Sequence, residues 1–181
     1  YHREYDYKLA LEYYTRTLDI AEELDDKGLI AYTLLDIGGI YQFKDIDYVK
    51  ALEHYTRSLN ILEDIGDKHG IGKSLSAIGK VNYQKGNLVK ALDYYNRSLN
   101  IVETLNDKAQ IAHLFHLIGH AYIDKKEFNN ARKFWEKGKI LYEEIEDEDG
   151  ISSSKTHFGI LSFDICNYIT ALEYSPPPTK V

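Results

Sequence analysis

The sequence predicts an all-α chain built as an array of antiparallel helix pairs, and three observations predict it. The first is a repeat. KALDYYNRSLNI at 90–101 returns as KALEHYTRSLNI at 50–61 and KLALEYYTRTLDI at 8–20, and more loosely as NARKFWEKGKIL at 130–141. The anchoring alanines Ala10, Ala51, Ala91, Ala131 and Ala171 lie 41, 40, 40 and 40 residues apart, and a fixed period of that size marks a repeat architecture. The second is helical spacing: Ala51, Leu52, Tyr55, Leu59 and Leu62 fall on one face of a 3.6-residue turn. The third is proline, absent from the first 175 residues and confined to Pro176, Pro177 and Pro178, as a helical chain requires.

Each period holds two helices. The first carries Leu34, Ile37 and Tyr41, then Leu75 and Ile78, then Phe115, Ile118 and Tyr122. A glycine recurs inside it, at Gly38, Gly79, Gly119 and Gly159. Mid-helix glycine costs about 1 kcal/mol against alanine, so its recurrence at one phase predicts close approach of a neighbouring helix. The second helix is the repeated segment itself. Links within a period read KDIDY (44–48), KGNL (85–88) and KKEF (125–128). Links between periods read DDKG (25–28), GDKHG (66–70), NDKA (106–109) and DEDG (147–150). Asp, Asn and Gly there match helix stops and N-caps, and links this short force antiparallel neighbours. The organisation is thus a single array over 1–174: a partial repeat 1–27, repeats 28–67, 68–107 and 108–147, and a partial repeat 148–174, followed by a Pro-rich tail 175–181. In the last partial repeat a second helix is expected to start at Tyr168 and to stop at SPPP. The lack of any methionine points to a piece of a longer protein.

Composition narrows the function classes. The 22 basic and 29 acidic residues leave a net charge of −7, opposite to the basic footprint of nucleic-acid binding. One cysteine, Cys166, excludes an internal disulfide framework and fits a reducing, cytoplasmic setting. No apolar run reaches membrane-spanning length. No phosphate loop or dinucleotide fingerprint occurs, so no cofactor is expected.

Ile37-Gly38-x-x-Tyr41 followed by Ala51-x3-Tyr55 and the small Ser58 recurs as Ile118-Gly119-x-x-Tyr122, Ala131-x3-Trp135 and Gly138. This pattern resembles the tetratricopeptide repeat over residues 1–174, in a long form with a period of 40 rather than 34 and no closing proline. Kinesin light chain and signalling scaffolds carry that longer form. The resemblance implies a right-handed superhelical solenoid of antiparallel helix pairs that binds a peptide or partner protein in a concave groove, without catalysis.

Family geometry puts the first helices on that wall. The exposed stripe is then Tyr32, Leu35, Gly39 and Gln42; Lys73, Ser76, Lys80 and Tyr83; His113, His116, His120 and Ile123; and Ser153, Thr156, Ile160 and Phe163. Of these, Tyr32, Leu35, Gln42, Lys73, Ser76, Lys80, Tyr83, His113, His116, His120 and Ile123 are the candidate binding residues. Their aromatic, neutral-to-basic character suits a peptide with apolar anchors and an acidic group. Lys73 and Lys80 occur without the asparagine of the family's carboxylate clamp, so no clamp is assigned.

Spacings of three and four put His113, His116 and His120 on one helix face. Asp124 is the sole acidic residue one turn on, so a pH-responsive histidine patch is expected and a metal site is not. The acidic run at 143–150 fails as a calcium loop, since Gly150 would put Ile145 at the first ligand position. Glu12/Arg16, Glu53/Arg57 and Asp93/Arg97 are expected as i, i+4 pairs on a solvated surface. Cys166 lacks the partners of a nucleophile and is expected as a buried structural thiol. The function expected is a non-enzymatic interaction scaffold; the alternative is a ligand- or peptide-responsive regulatory region of a larger signalling protein. Open repeat ends predict homo-oligomers.

Overall fold

A computed structural model describes residues 2–43 and 46–174; the side chains of 2–6, 160, 164, 165 and 167–174 are outside the description, as is the proline-rich segment 175–181. Among the described residues every element is a helix: α1 (His2–Glu23), α2 (Lys27–Phe43), α3 (Tyr48–Ile65), α4 (Lys68–Gln84), α5 (Leu88–Leu105), α6 (Lys108–Asp124), α7 (Phe128–Glu144) and α8 (Glu148–Tyr174). The chain divides into two compact units, residues 1–107 and 108–181.

The links stop and restart helices by the same local chemistry each time. Asp25, Gly66, Asn106 and Glu146 all adopt the left-handed conformation at the end of a second helix, and Ile46, Gly86 and Lys126 do so between first and second helices. A left-handed residue turns the chain out of the helix and lets the last amides reach back to orphaned carbonyls. Gly66 N–H does so, donating to Glu63 O. One residue later an aspartate caps the next helix: Asp26 Oδ1 accepts from Leu29 N–H at 2.9 Å, and Asp67 and Asp147 Oδ1 accept from Gly70 and Gly150 at 3.0 Å. Each such cap is worth about 1 kcal/mol.

In the first unit, α2 packs on α3 and α4 on α5 around Ala51, Tyr55, Leu59, Leu75, Ile78 and Val81. Burying a leucine or isoleucine of this kind contributes roughly 1.5–3 kcal/mol. The recurring glycines have the expected role at three positions. A Cβ on Gly38 would lie 2.6 Å from Tyr55 and one on Gly79 2.6 Å from Tyr95. On Gly119 it would lie 2.1 Å from Trp135. At Gly159 a Cβ would meet nothing within 4 Å among the described residues. Buried Ser58 and Ser98 complete the close crossings, their hydroxyls donating to Ala31 O and Gly72 O at 2.7 Å.

Three expectations are corrected. Cys166 is an exposed thiol, not a buried one. α8 runs unbroken from Glu148 to Tyr174, so no separate helix begins at Tyr168. Where the other periods turn through KGNL or KKEF, this one reads DICN (164–167), and its backbone remains helical. The surface ion pairs also differ: Arg57 bonds Glu22 at 2.6 Å, across helices, rather than Glu53. The Arg97 guanidinium lies over the Tyr94 ring at 5.1 Å.

Candidate binding walls and a histidine cluster

In the first unit, consecutive first helices α2 and α4 meet, so residues about 40 apart become neighbours. Tyr32 is half-buried; its hydroxyl donates to Asp67 Oδ2 at 2.7 Å, and Lys73 Nζ lies 5.8 Å from its ring centroid. Burial first, then that bonded carboxylate, pushes the phenol up to about 12. Asp36 stands on the same stretch, its carboxyl raised by burial and opposed by Lys73. Lys73 is exposed, while Ser76, Lys80 and Tyr83 are half-buried. Lys80 is the notable charge. Burial holds its ammonium below the ordinary amine range, and no described carboxylate offsets that effect.

Leu35 is half-buried against the core of α3 and α4. Gln42 does not stand on the exposed stripe. It is 2% exposed, accepts from Tyr55 O–H at 2.7 Å and donates from Nε2 to Gln84 Oε1 at 2.7 Å. This relay ties α3 through α2 to α4, because a buried phenol and amide must find partners.

The second unit departs further from the predicted stripe. His113 is exposed and His120 half-buried, but His116 and Ile123 are buried, at 5% and 8% exposure. Ile123 belongs to the core with Ala131, Trp135 and Leu161. His116 is buried because Gly138 stands where α3 and α5 carry Ser58 and Ser98: the imidazole occupies the space a side chain would take, 2.8 Å from the position of a Cβ there. Ser153 and Thr156 are exposed, Phe163 is 67% exposed, and the Ile160 side chain is outside the description.

His116 and His120 are gathered instead into a cluster with His157, which the sequence reading did not include. Its signal was the period: adjacent first helices place residues 37–42 apart in contact, as Tyr32/Lys73 and Gln42/Gln84 also show. His157 Nε2 lies 2.8 Å from His120 Nε2, and its ring stacks on Trp135 at 4.9 Å. His116 meets His157 edge-on at 4.6 Å, and its Nε2 is 3.1 Å from Ser154 Oγ.

The bonds fix the protons. Ser154 donates its one proton to Gly150 O at 2.8 Å, so His116 Nε2–H donates to Ser154. His157 Nδ1 is buried without a partner. A bare lone pair is the cheaper orphan than an N–H, so His157 carries its proton on Nε2 and donates to His120. Burial, then the neighbouring imidazoles, lowers His116 to about 4. Burial and His120 lower His157 to about 4. Burial lowers His120 too, opposed by Asp124. No group of three or more metal-ligating side chains among the described residues is arranged to hold an ion.

Residues 1–63 and 43–104, together more than half of the chain, match the model of the tetratricopeptide repeat family, and the chain belongs to that family. No curated protein matches the sequence. Among solved structures, the apo form of RapI superposes with a TM-score of 0.80 at 19% identity, covering 96% of this chain and 65% of that one. A Rap protein complexed with competence and sporulation factor gives 0.76 at 20%, covering 82% and 41%. BtubC from P. vanneervenii gives 0.73 at 16%, covering 99% and 80%. At these identities the likeness shows the fold, a solenoid of helical repeats, and the chain spans less than two thirds of either Rap protein. No described helix is long and apolar enough to cross a membrane.

Proposed function

We propose that this chain is a non-enzymatic, cytoplasmic interaction scaffold whose α2–α4 wall binds a peptide or unfolded segment carrying an aromatic or aliphatic anchor beside a carboxylate. The observation that carries this reading is Lys80, a half-buried ammonium that no described carboxylate offsets. An uncompensated charge of that kind weakens the free protein and gains most when a ligand supplies the anion. Lys73 extends the positive edge, and Tyr32, Leu35, Ser76 and Tyr83 offer half-buried surface of mixed character. His113 and His120 are the wall positions proposed in the second unit. That a Rap protein of this fold has been solved with competence and sporulation factor supports ligand binding by such repeats.

The test is a combinatorial peptide library in which acidic-plus-aromatic members are compared with the same peptides bearing lysine for the acids. Lys80→Met should leave the melting temperature equal or higher, because a buried charge is exchanged for a hydrophobe, while weakening the acidic peptides about tenfold or more. Lys73→Ala, Lys80→Ala and Tyr83→Ala together should abolish binding in a protein that still shows the wild-type helical spectrum. A folded triple variant that binds as before would overturn the reading, as would equal binding of the lysine-bearing peptides.

A further inference from the structure

The histidine cluster lies inside the second unit. The bond between His120 and His157 is made only while one of the two facing Nε2 atoms is bare. His120 and His157 share one proton across 2.8 Å between Nε2 atoms. A second proton there would make one imidazole a cation and set two N–H donors face to face beside Trp135, which is itself 0% exposed. A proton on His157 Nδ1 would find no acceptor. The charged or titratable groups acting on the trio among the described residues are few. His113 and Asp124 act from α6, and Tyr142 meets His116 edge-on at 5.1 Å from α7. From α8 itself comes only the neutral Ser154. Asp124 alone favours a proton, and it acts on His120 alone.

His120 and His116 sit on α6, whereas His157 and Ser154 sit on α8. The repulsion therefore falls across one helix–helix seam. In α8 the Tyr142 ring of α7 is seated on Gly150, but among the described residues no ring is seated on Gly159, at the phase of Gly38, Gly79 and Gly119. We propose that α8 is an acid-released arm: protonation of the His116–His120–His157 cluster drives α8 off α6 and α7 and uncovers the apolar face around Trp135, Ala131 and Ile123.

The direction follows from proton linkage. In the released state the histidines return to about 6.5 and take up protons first as pH falls, while in the closed state they hold out to about 4. Closure is therefore fully favoured above about pH 6.5 and is progressively lost between there and about pH 4. From pH 7 to pH 5 the opening equilibrium should rise about twentyfold for each such histidine released.

Trp135 is the only tryptophan and reports the event directly. On acidification its emission should shift to longer wavelength as the ring meets water. Hydrogen exchange, corrected for the intrinsic pH dependence of amide exchange, should accelerate in α8 while α2–α5 stay protected. His157→Gln should remove most of both responses, and His54→Gln in the first unit should remove neither. Unchanged emission and α8 exchange from pH 7 to pH 5 would overturn the proposal. So would a full response in His157→Gln, or loss of α6 and α7 protection in step with α8. Should His157→Gln not fold, imidazole titration of the wild type by NMR decides. His116 and His157 must titrate well below 6 while α8 is seated; values near 6.5 with α8 in place overturn the arm.

Discussion

At the scale of single residues, the in-phase glycines separate two physical situations that one letter conceals. Gly119→Ala would drive a Cβ to 2.1 Å from Trp135 Nε1, and that ring cannot give way because it is wholly buried and stacked on His157. The variant should lose about 1–3 kcal/mol, beyond any gain in helix propensity. Gly159→Ala meets no atom of the described residues within 4 Å and should gain up to about 1 kcal/mol. Urea denaturation of the two variants checks both signs; equal effects would mean that the ring contact does not decide. Gln42 is a residue of the same kind. Gln42→Leu removes both the acceptor of Tyr55 O–H and the donor to Gln84. It should destabilise by roughly 1–3 kcal/mol, the usual cost of stranding a buried polar group, without altering peptide binding.

At the scale of elements, spacing and composition placed the helices well, since the turns repeat one piece of chemistry. The left-handed position falls at Asp25, Gly66, Asn106 and Glu146, and again at Ile46, Gly86 and Lys126. Asp and Asn tolerate it, but a Glu or Lys there costs about 1 kcal/mol relative to glycine. Glu146→Gly and Lys126→Gly should therefore each raise stability by up to about 1 kcal/mol, less what added freedom of the unfolded chain takes back. Thermal melts of both would show it, and a loss at both positions would contradict the strain. The faces of the helices were harder to read. A heptad-like stripe marks the side of a first helix that meets its own partner, but in a stack that helix also meets the next first helix about 40 residues on. Gln42, His116 and Ile123 lie on this second buried arc. A stripe-based reading consequently left them in the open and omitted His157. The unbroken α8 escaped for a different reason: Ala171 continued the period in letters while no turn interrupted the helix before it.

At the scale of the whole molecule, the period makes a prediction about copies of the chain. Within each chain a glycine of one helix receives an aromatic ring of the next, as Gly38 receives Tyr55, Gly79 Tyr95 and Gly119 Trp135. α8 offers Gly159 with no described atom in that space and Phe163 beside it at 67% exposure. α1 carries Tyr14 at the register of Tyr55, Tyr95 and Trp135, flanked by Tyr13 at 62% exposure and by exposed Leu9. α1 of one copy thus suits α8 of another through the same ring-on-glycine contact. The two surfaces differ, so the contact is heterologous, and a pair of copies still carries one unpaired surface of each kind. Sedimentation velocity at rising concentration should accordingly show a ladder of species rather than one dimer. Gly159→Leu, which fills the notch, and Tyr14→Ala, which removes the ring, should each return the chain toward the monomer. If the released arm is also correct, the ladder should shorten below about pH 6, because an unseated α8 no longer holds Gly159 in register. A protein that remains monomeric at every concentration near neutral pH would refute the contact.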